Sequence, residues 1–119
     1  MPFRVEADPV AYPEFLALPK PVRETFEEAW EALEHTEDPL INGIGKKHRI
    51  RWSVEELTQK QPLAKEGLFS LHVGEPWRGL FIRDKGSLFF FAFGPHQRHM
   101  NDIYRRLKGL RAILSRRGI

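Results

Sequence analysis

The stretch SLFFFAF, residues 87–93, constrains the fold more than any other part of the chain. Leu88 to Phe93 are all apolar, so an extended segment here has no polar face. A half-buried strand alternates apolar with polar side chains, and a strand without that alternation belongs in the interior of a sheet. The run is also far shorter than the roughly 20 residues that a membrane-crossing helix needs. Gly94 and Pro95 end it. Before it, DKG at 84–86 signals a tight turn, because glycine accepts the positive φ of hairpin turns. WRGLFIR at 77–83 supplies a second strand, and GEP at 74–76 a second turn. In LFSLHV at 68–73, Phe69, Leu71 and Val73 alternate with their neighbours. The pattern predicts a three-stranded meander.

Upstream, Phe3, Val5 and Ala7 have the period of two expected of a strand. DPVAYPEFLALPKP suggests a helical turn or two, interrupted by Pro13, Pro19 and Pro21. From Pro21, a residue suited to a first helical turn, Val22, Phe26, Trp30 and Leu33 recur at helical spacing. They predict a helix over about residues 21–35, with Glu24, Glu27, Glu28, Glu31 and Glu34 forming a solvated outer face. Pro39, Asn42, Gly43 and Gly45 mark a loop. In KHRIRW, an extended backbone would put Lys47, Arg49 and Arg51 on one face. Ser53 and Glu56 fit a capping box for a short helix, SVEELTQK. Beyond the meander, Ile103, Leu107, Leu110 and Leu114 recur at helical spacing. Asn101 can cap that helix and Asp102 complements its dipole. The order of elements gives an α+β fold, with helices packed on one face of a mostly antiparallel sheet.

The chain of 119 residues suits one domain, residues 1–119, with a real core. It has no cysteine, which excludes disulfides and thiolate metal sites. The start, MPFRVEADP, lacks the parts of a signal peptide, and the expected location is cytoplasmic. The formal charge of +3 conceals a division. Residues 1–45 carry 3 basic and 10 acidic side chains, a balance of −7, whereas residues 46–119 carry 16 and 6, a balance of +10. Segregated positive charge attracts polyanions, because neutralised phosphates release counterions.

With these elements in order, LFSLHVGEPWRGLFIRDKGSLFFFAFGPHQRHMNDIYRR resembles the RelE/ParE toxin superfamily. The family's LRVGxYR strand pair is matched by LHVGEPWR, with Trp77 where the family has tyrosine. Its closing G…R…IYR segment is matched by FGPHQRHMNDIYR. PVAYPEFLALPKPVRETFEEAWEAL resembles the family's helical hairpin, with LPK at the bend. The likeness covers residues 66–107 well and 1–40 fairly. It is poor over 46–66, which reads as an insertion or an extended loop carrying the short helix. The resemblance implies an N-terminal strand and helical hairpin packed on a sheet with a three-stranded meander, followed by a C-terminal helix.

Within the superfamily, RelE-like members cut messenger RNA in the ribosomal A site, and ParE-like members inhibit gyrase without cutting. Metal-independent RNA cleavage needs a base for the 2′-hydroxyl, an acid for the departing 5′-oxygen and cations around the phosphorus. By resemblance, Arg78 and Arg98 would stabilise the phosphate, and Tyr104 would be an acid–base or base-stacking aromatic. His96 and His99 join them by spacing, since imidazole suits proton transfer near neutral pH; His72, on the strand face opposite Leu71, is a further candidate. Lys46 and Lys47 are candidates for the family's lysines. With Arg49, Arg51, Arg105 and Arg106 they form the expected RNA-binding set. No metal and no cofactor is expected. The expected activity is a ribosome-dependent mRNA endonuclease, the toxin of a toxin–antitoxin pair. Its expected partners are mRNA in the A site and a cognate antitoxin, with no membrane. The rival readings are a ParE-like gyrase inhibitor and a non-toxic protein of this fold that binds nucleic acid or a partner.

Overall fold

The computed structural model describes residues 3–36, 44–56, 68–84 and 86–95. In chain order these residues form β1 (Arg4–Ala7), α1 (Tyr12–Leu16), α2 (Lys20–Glu34), β2 (Ile44–Lys47), β3 (Ile50–Glu56), β4 (Leu68–Val73), β5 (Trp77–Asp84) and β6 (Ser87–Pro95). The six strands make one sheet in the order β1-β6-β5-β4-β3-β2. Only the β1–β6 pair is parallel; the other four neighbouring pairs are antiparallel. The α+β architecture and the meander β4-β5-β6 follow the sequence pattern. The C-terminal helix expected from residue 101 onward lies outside the described residues.

The apolar run sits where its composition demands, with β6 between β1 and β5. Its pairing with β5 slips between Leu80 and Phe81, so that Leu80 faces Ala92 while Phe81 faces Phe90. The extra residue resets the alternation, the usual effect of a bulge. Phe90 and Phe93, three positions apart, therefore share a face and stack with ring centroids 5.7 Å apart.

That face carries the helices. Val22, Phe26, Ala29 and Leu33 of α2 are buried, as their helical spacing predicts. Phe15 of α1 and Phe26 and Trp30 of α2 close over Phe93 at 5.5, 5.6 and 5.9 Å. Each fully buried phenylalanine contributes about 1.5–3 kcal/mol, so this cluster anchors both helices to the sheet. The other face is divided. At one end Leu68, Leu80, Ile82 and Phe89 are buried; at the other lie the polar and basic residues described below.

Three expectations fail at residues 44–56. Ser53 and Glu56 do not cap a helix, because both lie in β3, which pairs with β4 from Trp52↔Val73 to Glu56↔Phe69. Pairing with a distant strand overrides the local capping pattern, and Trp52, 3% exposed, is what the pairing buries. KHRIRW is not one extended segment either. It folds back at His48 and Arg49, with φ of 54° and 63°, pairing Lys47 with Ile50 and Lys46 with Arg51. Lys47, Arg49 and Arg51 consequently do not share a face. Gly45 belongs to β2 rather than to a loop, and the Trp52 ring fills the space that a side chain at Gly45 would take.

Candidate nucleic-acid interface

Strand alternation determines which side chains meet at the polar end of the sheet. Trp52, Leu71 and Val73 point into the helix-side core. Their neighbours Arg51, Ser53 and His72 therefore project from the opposite face. Arg78 joins them, because it pairs directly with His72, and His72 in turn with Ser53. Lys46 extends the row through its pairing with Arg51. With Arg49 from the hairpin turn, these residues line an open concavity of about 1060 Å³.

Arg78 lies at the base of the rim formed by the β4–β5 turn. Its Nη1 donates to the carbonyls of Glu75 at 2.7 Å and Trp77 at 2.9 Å. The turn is held in its own right: Gly74 takes φ of 61°, and its amide donates to the Arg51 carbonyl at 2.7 Å. Burial lowers the Arg78 guanidinium below its ordinary value, opposed by the charges of Glu55 and Glu75. An arginine remains protonated through such a shift, so Arg78 is a partly desolvated fixed cation. Lys46, Arg49 and Arg51 are exposed around it.

His72 Nε2 lies 2.9 Å from Glu55 Oε2, the imidazole side chain being 26% exposed and the carboxylate 58%. The site thus combines a concave set of cations with an imidazole–carboxylate pair. Among the described residues, no three His, Asp or Glu side chains assemble into a metal site, and no helix is long and apolar enough to cross a membrane.

Of the expected site residues, Arg78, Lys46, Arg49 and Arg51 come together with His72. Lys47 lies apart from them, on the helix side, where its carbonyl is 3.4 Å from Thr25 Oγ1. Arg98, Tyr104, His96, His99, Arg105 and Arg106 lie outside the described residues. Sequence reasoning missed Glu55, which it placed in a helix. It also missed the hold that α2 has on the hairpin. Glu28 Oε2 accepts from Trp52 Nε1 at 3.2 Å, and Glu24 Oε2 meets His48 Nε2 at 2.8 Å. The alternation of Trp52 and Val54 was the available signal for the strand.

No protein-family model matches the sequence, and no curated protein matches it significantly. Among solved structures, a chain of the archaeal RelE–RelB complex from Pyrococcus horikoshii superposes with a TM-score of 0.57. The match covers 80% of this chain and 96% of that one at 18% identity. The fold is RelE-like. At that identity the likeness is one of backbone and topology.

Proposed function

We propose that the protein is the toxin of a toxin–antitoxin system and cleaves mRNA in the ribosomal A site. The observation that carries this reading is a concave cluster of Lys46, Arg49, Arg51 and Arg78 on a RelE-like fold. The exposed cations gather the RNA backbone. Arg78, partly desolvated and fixed to its turn, stabilises the charge that builds on the phosphorus as the 2′-oxygen attacks, an interaction that strengthens away from bulk water. Arg98 supplies a second guanidinium and Tyr104 an aromatic proton-transfer or stacking group, as the family resemblance implies. A small antitoxin protein is the cognate partner, as RelB accompanies RelE in the matching complex.

The test is to add purified protein to ribosomes translating a defined message and to map the 5′ ends of the fragments. Codon-phased cuts that disappear in Arg78→Ala and Arg98→Ala are expected. Intact mRNA sinks the nuclease reading, and inhibition of gyrase supercoiling in its place establishes the ParE-like alternative.

A further inference from the structure

Resting on the nuclease reading above, we propose that His72 is the general base of the reaction and that Glu55 is its positioning residue. Three observations converge on the pair. His72 lines the cationic concavity. It is the direct cross-strand neighbour of Arg78, which places the two backbones about 5 Å apart. Its Nε2 is tied to Glu55 Oε2 at 2.9 Å. An ionised carboxylate only accepts hydrogen bonds, so its place beside Nε2 favours the neutral tautomer protonated there, with Nδ1 as the basic atom. Glu55 thereby selects the tautomer and faces the positive charge that the ring acquires on taking a second proton.

An RNA strand laid across the concavity brings a 2′-hydroxyl to the ring. The 2′-hydroxyl gives its proton to Nδ1 of His72, and the 2′-oxygen forms a bond to the adjacent phosphorus. The bond from phosphorus to the 5′-oxygen breaks, and that oxygen takes a proton from water. The products are a 2′,3′-cyclic phosphate and a 5′-hydroxyl, and His72 returns its proton to solvent. Among the described residues, Glu55 of β3 is in contact with the ring, and Lys46 of β2, Arg49 of the hairpin turn, Arg51 of β3, Arg78 of β5 and Glu75 of the adjoining turn line the concavity with it. Glu55 is the group that meets the charge on the imidazolium directly.

The experiment measures single-turnover mRNA cleavage on programmed ribosomes across a pH series. A positioned base contributes on the order of 10²–10⁴ in rate. His72→Gln is therefore expected to lower the cleavage rate at least 100-fold while ribosome affinity stays within threefold. Its rate should also lose the rise with pH that the wild type shows. Free imidazole should restore part of the rate of His72→Ala, a result that an unfolded variant cannot give. Glu55→Gln should reduce the rate less and move the rising limb to lower pH, because the imidazolium loses its adjacent negative charge. A His72→Gln rate within threefold of wild type overturns the proposal and leaves the nuclease reading standing. So does a loss confined to ribosome affinity. A wild-type protein that leaves mRNA whole overturns both.

Discussion

Glu24 on α2 holds the tip of the β2–β3 hairpin through His48, whose Nε2 lies 2.8 Å from the Glu24 carboxylate. The contact explains how an unfavourable turn persists. His48 and Arg49 both take positive φ, a conformation for which hairpin loops favour Asn-Gly. A residue with a Cβ is disfavoured there by roughly 1–2 kcal/mol. The hold on α2, together with the Trp52–Glu28 hydrogen bond, selects this turn and so places Arg49 at the edge of the concavity.

Replacing Arg49 with glycine should relieve its share of that strain without touching His48. The gain is reduced by the greater freedom of glycine in the unfolded chain, leaving a stabilisation of up to about 1 kcal/mol. Urea denaturation should show a higher midpoint at an unchanged slope. RNA affinity should fall in the same variant, because a cation leaves the concavity. An unchanged or lower midpoint would show that the turn is not strained at this position.

The same contact sets a pH dependence. The hydrogen bond from His48 holds the Glu24 carboxyl below its ordinary value of 4.5, opposed by desolvation and aided by the charges of His48, Lys20 and Lys47. A folded-state value below the unfolded one means that the unfolded chain takes up the proton first. The contribution is therefore complete above the ordinary carboxylate range and is lost as pH falls through the depressed folded value. A neutral glutamine cannot follow that titration. The difference in urea midpoint between wild type and Glu24→Gln should be present at pH 6 and close progressively below about pH 4.5. A difference that stays constant across that range would remove the charge of Glu24 from the account.

At the centre of the sheet, packing leaves no spare volume beneath α2. A Cβ added at Gly79 would lie 2.8 Å from the Phe26 ring and 3.3 Å from Phe90, and both rings are wholly buried. Overpacking of this kind costs about 1–3 kcal/mol. Gly79→Ala should lower the thermal midpoint accordingly. Because the clash is with Phe26, the effects of Gly79→Ala and Phe26→Leu should fall short of additive in the double variant. Strict additivity would mean that the strain is released elsewhere.

What could be read from the sequence divides along the range of the interactions. β1, α2 and the meander were legible because their signals are local: period two in Phe3, Val5 and Ala7, helical spacing from Val22 to Leu33, and turn residues between apolar runs. The β2–β3 hairpin was not, because its evidence is non-local. Ser53 and Glu56 mimic a helix cap, and only pairing with β4 shows them to be strand residues. The turn at His48 and Arg49 lacks the glycine that would have marked it. Glu24 and Glu28 stand in an acidic stripe whose other members, Glu27, Glu31 and Glu34, are exposed, and nothing in the helix distinguishes the two that bind the hairpin. For the candidate site, Arg78 was named from the family resemblance and His72 from its place on a strand face. Glu55 was hidden with the strand that carries it.

That hairpin also makes the role of positive charge testable residue by residue. Lys47 and Arg51 are equal in formal charge and four positions apart, but only Arg51 lines the concavity. Lys47 lies on the helix side, close enough to Glu24 to affect its titration. Each phosphate neutralised on a single strand contributes about 0.7 to the slope of log K against log salt concentration. Arg51→Ala should therefore flatten that slope by about 0.7 for an unstructured RNA oligomer followed by fluorescence anisotropy. Lys47→Ala should change it by less than half as much. Equal changes would mean that the RNA responds to the overall charge of the hairpin, and the concavity would lose its claim to be the binding surface.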